Sequence, residues 1–195
     1  FFGSRIRTLL TDDKIDLTYL ATKPETTGTA VITIDNSGEN SIILAKGANA
    51  ALNISDIETV RFSDYDAVLL QNEISWDVNE FVINQLAETP VQVFLNPAPA
   101  RRLDEKTLSK LDYLIVNEIE AAELTGLAVV NEQTAIDAAN LLVKKGVKKV
   151  ITTLGSKGAV YMDKSGKERF VPAYNVNTVD TTGAGDTFIG AFAEK

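Results

Sequence analysis

From about Asp66 onwards, the chain alternates between two patterns of hydrophobic and polar positions. Short apolar runs bounded by polar or turn residues are typical of buried parallel strands, and they have the sequences DAVLLQN, VQVFLNP, YLIVN and KKVITTLG. Between them, apolar positions recur with helical spacing in WDVNEFVINQLAE, LDEKTLSKL, EIEAAELTG and EQTAIDAANLLVKKG. GAVYMD and ERFVPA then predict an edge hairpin, and a last helix begins within GAGDTFIGAFAEK. This order predicts an α/β fold with a doubly wound, mostly parallel sheet flanked by helices.

The beginning of the chain has a different pattern. Residues 1–14 predict a short amphipathic helix, with Ile6, Leu9 and Leu10 as its apolar stripe. The chain then becomes rich in Thr, Ile and Val. The runs TAVITID and NSIILA flank the turn residues 36–40 as a β-hairpin, with LTYLAT as a third strand. We therefore predict a small antiparallel sheet over residues 15–50, and we assign residues 1–14 and 51–195 to the α/β core.

The residue types present restrict the chemistry that the protein can perform. The chain has no cysteine and no histidine, which excludes disulfides, thiolate metal sites, the usual zinc sites and a Ser-His-Asp triad. Acid–base chemistry therefore falls to Asp, Glu, Lys or Tyr. The net charge of −8 comes without a basic stripe for nucleic acid, and no apolar run approaches the about 20 residues of a membrane span. This balance fits a soluble cytoplasmic protein that binds neither nucleic acid nor membrane.

Polar or turn residues follow four of the predicted strands at the points where the strands end. They are Asn72 and Glu73 after DAVLLQ, Asn96 and Pro97 after VQVFL, Asn117 after YLIV, and Gly155 and Ser156 after VITTL. Open α/β sheets bind their ligands at the carboxyl ends of the strands. We therefore expect these residues to gather at one binding edge.

The sequence VDTTGAGDTF, at residues 179–188, places a glycine-rich turn before the last predicted helix. Glycine lets the backbone approach a ligand closely, and free N–H groups at a helix amino terminus attract an anion. Asp186 falls in the first predicted turn, where a carboxylate either stabilises the helix dipole or acts as a base beside a phosphate. The spacing fits neither a Walker A loop nor the dinucleotide fingerprint, because no Gly-Lys-Ser/Thr follows and Gly190 comes too late.

This motif is specific to one family of enzymes, and the chain resembles the pfkB family of ribokinase-like carbohydrate kinases. Further segments that resemble ribokinases, in the family's order, are TTGTAVITID, NSGENSIILAKGANAAL, LLQNE, NPAPAR, NEIEAAELTG and ITTLGSKGA. NPAPA and GANAAL favour ribokinase over fructokinase or nucleoside kinases. The resemblance implies a kinase that phosphorylates D-ribose at its 5-hydroxyl with ATP, and that uses Mg²⁺ and K⁺ as cofactors.

The resemblance also assigns roles within the glycine turn. Asp186 is implied to take the proton from the sugar hydroxyl, and therefore to contact the substrate. The turn is implied to form an anion hole for the transferred phosphoryl group, through the N–H groups of Gly183, Ala184 and Gly185. Asp180 and Thr182 are implied to be ligands of K⁺.

On the nucleotide side, Asn117 and Glu120 match an Asn-x-x-Glu motif that is implicated in the Mg²⁺–phosphate arrangement, with Glu120 as an indirect metal ligand. The local alternative is that Asn117 caps a helix and Glu120 completes a capping box. The other implied nucleotide contacts are Thr153, Gly155, Ser156, Gly158 and Gly185. Without the resemblance, LGSKG is more simply a turn between two strands.

On the sugar side, Glu73 matches a sugar-contacting glutamate at a strand end, and Ala30 matches a residue of the family's β lid. The alternative for Glu73 is a solvated loop carboxylate. The small sheet at residues 15–50 corresponds to that lid, which in the family pairs with a second lid in a homodimer.

Other functions remain open on the sequence alone. One is a kinase for fructose, a nucleoside or another small polyol, and another is a nucleotide- or sugar-binding module without catalysis. A dinucleotide-dependent oxidoreductase is disfavoured by the glycine spacing. The chain begins with Phe1, has its only methionine at Met162, and lacks the family's N-terminal sugar-binding and C-terminal segments. We therefore expect an N- and C-terminally truncated chain with little kinase activity of its own.

Overall fold

A computed structural model describes residues 2–34, 40–177 and 180–194. The chain divides into two compact units. The first contains the residues up to Arg61 together with Glu73–Phe81, and the second contains Phe62–Asn72 together with the residues from Val82 onwards. The assignment of residues 15–50 to a separate lid stays a prediction.

The first unit contains a helix, a β-hairpin and a second short helix. These elements are α1 (Phe2–Asp12), β1 (Thr29–Ile34), β2 (Asn40–Ala45) and α2 (Ile54–Ile57). The two strands pair antiparallel, with Thr29 opposite Ala45 and Val31 opposite Ile43. The turn predicted at residues 36–40 lies outside the described residues except for Asn40, which begins β2.

The third strand that we predicted at LTYLAT is wrong, because the hairpin sheet has two strands among the described residues. The Asp16 carboxylate accepts hydrogen bonds from the backbone N–H of Thr18 at 2.9 Å and from its hydroxyl at 2.6 Å. The Leu20 N–H then donates to the Leu17 carbonyl at 3.0 Å. These local bonds use backbone groups that a sheet ladder would need, and aspartate side chains commonly favour turns in this way.

The second unit is built on a six-stranded sheet whose spatial order follows the chain. Its strands are β3 (Ala67–Gln71), β4 (Gln92–Asn96), β5 (Tyr113–Val116), β6 (Lys149–Thr153), β7 (Gly158–Asp163) and β8 (Glu168–Pro172). Strands β3 to β6 are parallel, and β7 and β8 continue the sheet antiparallel. The predicted α/β class, with a mostly parallel sheet and a separate small antiparallel one, is therefore confirmed.

The helices that the periodicity predicted are also present. They are α3 (Trp76–Leu86), whose first residues belong to the first unit, α4 (Glu105–Leu108), α5 (Glu118–Thr125), α6 (Glu132–Lys144) and α7 (Ala184–Ala193). Within the described residues, no helix combines the length and the apolar character that crossing a lipid bilayer requires.

The two faces of the six-stranded sheet carry different partners, because side chains alternate along each strand. Helix α6 packs against β6 and β7 and buries a stripe of small and aliphatic residues, namely Ala135, Ala138, Ala139 and Leu142. On the other face, Phe94, Ile115 and Ile151 form a buried cluster. Four residues of α7 pack against this cluster, namely Phe188, Ile189, Phe192 and Ala193. This contact fixes where the amino end of α7 lies relative to the ends of the parallel strands.

Candidate active site

The glycine turn leads directly into the amino end of α7. Gly183 is the N-cap and has the left-handed conformation, with φ 73° and ψ 5°, which glycine adopts without a steric penalty. The Ala184 N–H donates to the Thr181 carbonyl at 3.1 Å, and the Gly183 carbonyl accepts from the Thr187 N–H at 2.9 Å. The Gly185 N–H has no backbone acceptor within the described residues. The turn therefore offers Gly185 as a free donor, whereas the Ala184 donor is engaged in this conformation.

Asp186 lies in the first turn of α7, with its side chain exposed. Its Oδ1 accepts a hydrogen bond at 3.1 Å from Nε2 of Gln71, the last residue of β3. The carboxylate therefore stands one residue from the free Gly185 donor and is held by the end of a parallel strand. This arrangement can place a proton acceptor beside a bound anion.

Asp180 and Thr182 are joined by a local hydrogen bond, from the Thr182 N–H to Asp180 Oδ1 at 2.8 Å. The backbone and side chain of Thr182 donate to the Asp180 carboxylate and lower its pKa. The carboxylate thus stays ionised, and it adds a negative oxygen to the loop that leads into the glycine turn. Such oxygen donors suit a hard cation.

Asn117 caps α5, and Glu120 completes a reciprocal capping box. The Asn117 side-chain oxygen accepts from the Glu120 N–H at 2.8 Å, and Glu120 Oε2 accepts from the Asn117 N–H at 3.0 Å. The same Oε2 also accepts from Nδ2 of Asn96 at 3.2 Å. The predicted capping box is thus present. Glu120 Oε1 takes no part in these three hydrogen bonds.

Glu120 is an unusual group for a helix amino terminus because its side chain is buried, with 6% of the residue exposed. Removal from water raises the pKa of Glu120, while the hydrogen bonds from Asn117 and Asn96 oppose that change. A buried carboxylate among donors can bind a positive charge more strongly than an exposed one.

The residues predicted to contact the nucleotide lie at the junction of β6 and β7. Thr153 ends β6, a single 3₁₀ turn covers Gly155–Lys157, and Gly158 begins β7. The Leu154 N–H donates to the Gly158 carbonyl at 2.8 Å, which closes the loop. A Cβ atom at Gly158 would lie 2.1 Å from the Val171 carbonyl oxygen, so close packing against β8 requires glycine there. The structure therefore contains the simple turn between two strands. Nucleotide contact by these residues stays a prediction.

In the first unit, Ala30 and Glu73 line the same pocket, which has a volume of about 250 Å³. The other lining residues come from the hairpin and the segment after it, namely Gly28, Thr29, Leu44, Ala45, Lys46 and Asn49. Lys46 is exposed, and it lines this pocket together with Glu73.

The fit of the two predicted cations can be judged from these donors. Within the described parts of the chain, no three acidic side chains come together as a metal cluster. Mg²⁺ at phosphoryl-transfer sites is commonly held by one or two carboxylates, water and the substrate phosphates, so Glu120 alone is compatible with it. The carboxylate of Asp180 and the hydroxyl of Thr182 would supply oxygen ligands to K⁺.

Gln71 is a site residue that the sequence patterns did not indicate, and Asn96 stood out only as one of several polar strand ends. The signal for Gln71 was weak, because it is the last residue of an apolar strand and its partner Asp186 is 115 residues away. Only the packing of α7 on the sheet brings the two together.

We expect Glu120→Gln to gain stability relative to the wild-type protein as the pH rises. The pKa of Glu120 is higher in the folded than in the unfolded state, so the folded state binds more protons between the two values. The wild-type stability is therefore fully present below the unfolded pKa and falls as the pH rises through the folded pKa. Glutamine does not titrate, and its amide oxygen can accept the same bonds. Urea unfolding at several values between about pH 4 and pH 8 measures the difference.

The matched control is Glu132→Gln, which changes an exposed glutamate in the first turn of α6. Its stability difference from wild type should change little over the same pH range. A Glu120→Gln protein that loses stability relative to wild type on raising the pH would contradict the burial argument.

Comparison with known proteins gives these features a family context. The family model for pfkB family carbohydrate kinases matches residues 1–195. The ribokinase of Haemophilus influenzae is 38% identical over 193 residues, which cover 97% of this chain and 63% of that protein. A deoxyribokinase of Salmonella typhi is 39% identical over 183 residues, which cover 92% of this chain and 60% of that protein.

Among solved structures, the Arabidopsis thaliana ribokinase complexed with ribose and ATP is 34% identical, with a TM-score of 0.76. The match covers 88% of this chain and 56% of that one. The chain thus spans 63% or less of the length of each of these relatives. On the match of the family model to the whole chain, supported by these relatives, the protein belongs to the pfkB family of carbohydrate kinases.

Proposed function

We propose that the protein is an ATP-dependent sugar kinase that transfers the γ-phosphoryl group of ATP to the 5-hydroxyl of D-ribose. The observation that carries this proposal is the geometry at the start of α7, where Asp186 follows directly on the free Gly185 N–H and is held by Gln71. A base and an anion-binding donor in adjacent positions are what phosphoryl transfer to an alcohol requires. The relative named as a ribokinase, and the ribokinase structure complexed with ribose and ATP, support ribose as the acceptor.

In this mechanism Asp186 accepts the proton of the attacking hydroxyl as the bond from that oxygen to the γ-phosphorus forms. The bond between the γ-phosphorus and the β–γ bridging oxygen breaks, and ADP leaves. The Gly185 N–H and the positive end of the α7 dipole stabilise the negative charge on the transferred phosphoryl oxygens. Gly183 lets the backbone turn tightly enough to present that donor, and a small movement of the turn would release the Ala184 N–H for the same role. Bound Mg²⁺ would neutralise charge on the β- and γ-phosphates, with Glu120 acting on it through water.

The residues at the β6–β7 junction supply the proposed nucleotide contacts, namely Thr153, Gly155, Ser156 and Gly158, while Asn117 and Glu120 lie on the phosphate side. The exposure of Gly155 and Ser156 supports this assignment, since a nucleotide could reach them without rearrangement of the strands.

The sugar is proposed to bind through Glu73 and Ala30, which share the pocket of the first unit. A carboxylate at its wall suits sugar hydroxyls, which donate strong hydrogen bonds to charged oxygen. A second candidate acceptor is 2-deoxyribose or another small sugar, because one relative of similar identity is named as a deoxyribokinase.

We further propose that the β1–β2 hairpin forms the contact of a homodimer and that the enzyme acts in the cytoplasm, where ATP is supplied. Val31 and Ile43 form a cross-strand pair on the hairpin and are 55% and 66% exposed. Apolar pairs on an exposed hairpin gain from being covered. A monomeric mass in sedimentation velocity would contradict this arrangement.

Asp186→Asn should abolish most turnover while leaving nucleotide binding intact. Asparagine keeps the size of the side chain but cannot accept the proton, so kcat should fall by about 10²–10⁴-fold. The Kd for MgATP should stay within about twofold, because the change removes an interaction of the transition state only. A coupled assay for ADP release, run on the protein as the cell makes it, measures kcat, and calorimetry measures MgATP binding.

The control is Asp137→Asn, which makes the same change at an exposed position of α6 and should leave both quantities unaltered. Turnover that survives in Asp186→Asn with lost MgATP affinity would refute the role of Asp186 as the base. A wild-type protein that binds MgATP but shows no sugar-dependent ADP release would instead support the non-catalytic binding module.

Glu73→Gln should raise the KM for the sugar by about tenfold or more, because a hydrogen bond to a charged group contributes about 1.5–3 kcal/mol. The KM for MgATP should not change. The comparison uses D-ribose, 2-deoxyribose, fructose and adenosine as acceptors, with Glu80→Gln on the exposed side of α3 as the control. A wild-type kcat/KM that is higher for another acceptor than for ribose would replace the proposed substrate.

Asp180→Asn should raise the K⁺ concentration that gives half-maximal activity, because the loop loses a charged oxygen. The expected shift is about tenfold or more, the amount lost with an interaction to a charged group. Initial rates are measured over a K⁺ titration at constant ionic strength, so that screening does not change. An activity that is the same in the absence of K⁺ would contradict a cation site at Asp180 and Thr182.

A further inference from the structure

Two side-chain amides connect Asp186 to the buried carboxylate of Glu120. Gln71 Nε2 donates to Asp186 Oδ1 at 3.1 Å and to Asn96 Oδ1 at 3.4 Å. Asn96 Nδ2 donates in turn to Glu120 Oε2 at 3.2 Å and to the Ile115 carbonyl at 3.0 Å. The chain of bonds therefore crosses the ends of β3, β4 and β5.

The direction of each amide in this chain is determined by its partners. Ile115 offers a carbonyl and Glu120 a carboxylate, and both groups accept hydrogen bonds only, so the nitrogen of Asn96 must face them. The side-chain oxygen of Asn96 therefore faces Gln71, which must donate a hydrogen bond from its side-chain nitrogen. Both protons of the Gln71 amide are then used, one toward Asn96 and one toward Asp186. The residues around Glu120 thus decide that a donor, and not an acceptor, is presented to Asp186.

We propose that Gln71 is a positioning residue that orients Asp186 for proton abstraction, an inference that rests on the proposed kinase function. Its donor occupies Oδ1 of Asp186 and so selects one rotamer of the carboxylate. The second oxygen, Oδ2, is then presented to the substrate hydroxyl in a fixed direction. An exposed first-turn aspartate without such a partner would sample several rotamers, and only a fraction of them would suit the reaction.

The position of Glu120 in the network supports a role for Gln71 in orienting Asp186 rather than in relaying protons. Glu120 is separated from Asp186 by two amides, and amide side chains do not accept or release protons in the functional pH range. Gln71 therefore fixes the direction of the hydrogen bond to Asp186, and it does not transfer a proton. Asp186 gives the proton it has taken to solvent, to which it is exposed.

The test compares Gln71→Leu, Gln71→Glu and the control Gln92→Glu. Gln92 begins β4, at the opposite end of the same sheet, and is exposed. Gln71→Leu removes the donor at similar size and should lower kcat about tenfold or more, with the KM for MgATP within about twofold. Gln71→Glu places a second carboxylate against Asp186, so the acidic limb of the kcat/KM profile should move to higher pH by about one unit or more. Gln92→Glu should leave both profiles unchanged.

A purely structural role gives a different result. Both Gln71 variants would then have lower thermal stability, while the kcat of Gln71→Leu per folded molecule stayed at the wild-type value. That outcome overturns the inference, and measured melting temperatures show whether it applies. If Gln71→Leu fails to fold, Gln71→Met takes its place, since it also lacks the donor and keeps the length of the side chain.

The failure of this inference is distinguishable from the failure of the proposed function. If Asp186→Asn abolishes turnover while both Gln71 variants keep the wild-type kcat and pH profile, Asp186 is the base and Gln71 does not position it. If Asp186→Asn keeps its turnover, or the wild-type protein has no sugar-dependent turnover, both proposals are overturned.

Discussion

The candidate site depends on the side-chain amide of Asn96 at the carboxyl end of β4. Its nitrogen bonds the Ile115 carbonyl of β5 and the Glu120 carboxylate of α5, and its oxygen accepts from Gln71 of β3. Unpaired polar atoms are costly where water is scarce, so the pairing of both polar side-chain atoms of Asn96 permits few alternative arrangements. One side chain thereby fixes the relative positions of two neighbouring strand ends and the first turn of a helix.

The two faces of the six-stranded sheet contribute differently to this arrangement. On one face, α6 fills the space with alanine and leucine side chains that are fully buried, which stabilises the sheet by apolar packing. On the other face, the rings of Phe94 and Tyr113 stack with centroids 4.2 Å apart and receive the rings of α7. The first contact supplies a rigid sheet, and the second positions the glycine turn against the strand ends.

Much of the fold could be predicted from local patterns. The helix and strand elements of the second unit follow from period and length, and the Asn117–Glu120 capping box follows from spacing alone. The error at LTYLAT arose where the side chain of Asp16 competes with the sheet for backbone donors. The order of the strands along the sheet could not be predicted, because no local pattern specifies which neighbours pair.

The site was predictable only in part, for a similar reason. The glycine turn and the strand-end residues can be recognised by residue type. Gln71 cannot, because its contact with Asp186 forms only through tertiary packing. Lys46 is comparable, since its sequence context is that of a surface lysine and only the hairpin geometry brings it to the pocket wall beside Glu73.

The aromatic packing of α7 also determines how the helix is rotated about its own axis. Phe192 meets Tyr113 edge-on at 5.5 Å, and Phe188 stacks on Phe192 at 6.2 Å. Successive residues of a helix are rotated by about 100°, so a slip of α7 by a single residue would turn Asp186 away from Gln71 and lift these rings off the sheet. The partly buried rings of Phe188 and Phe192 thus determine the direction in which the Asp186 carboxylate points.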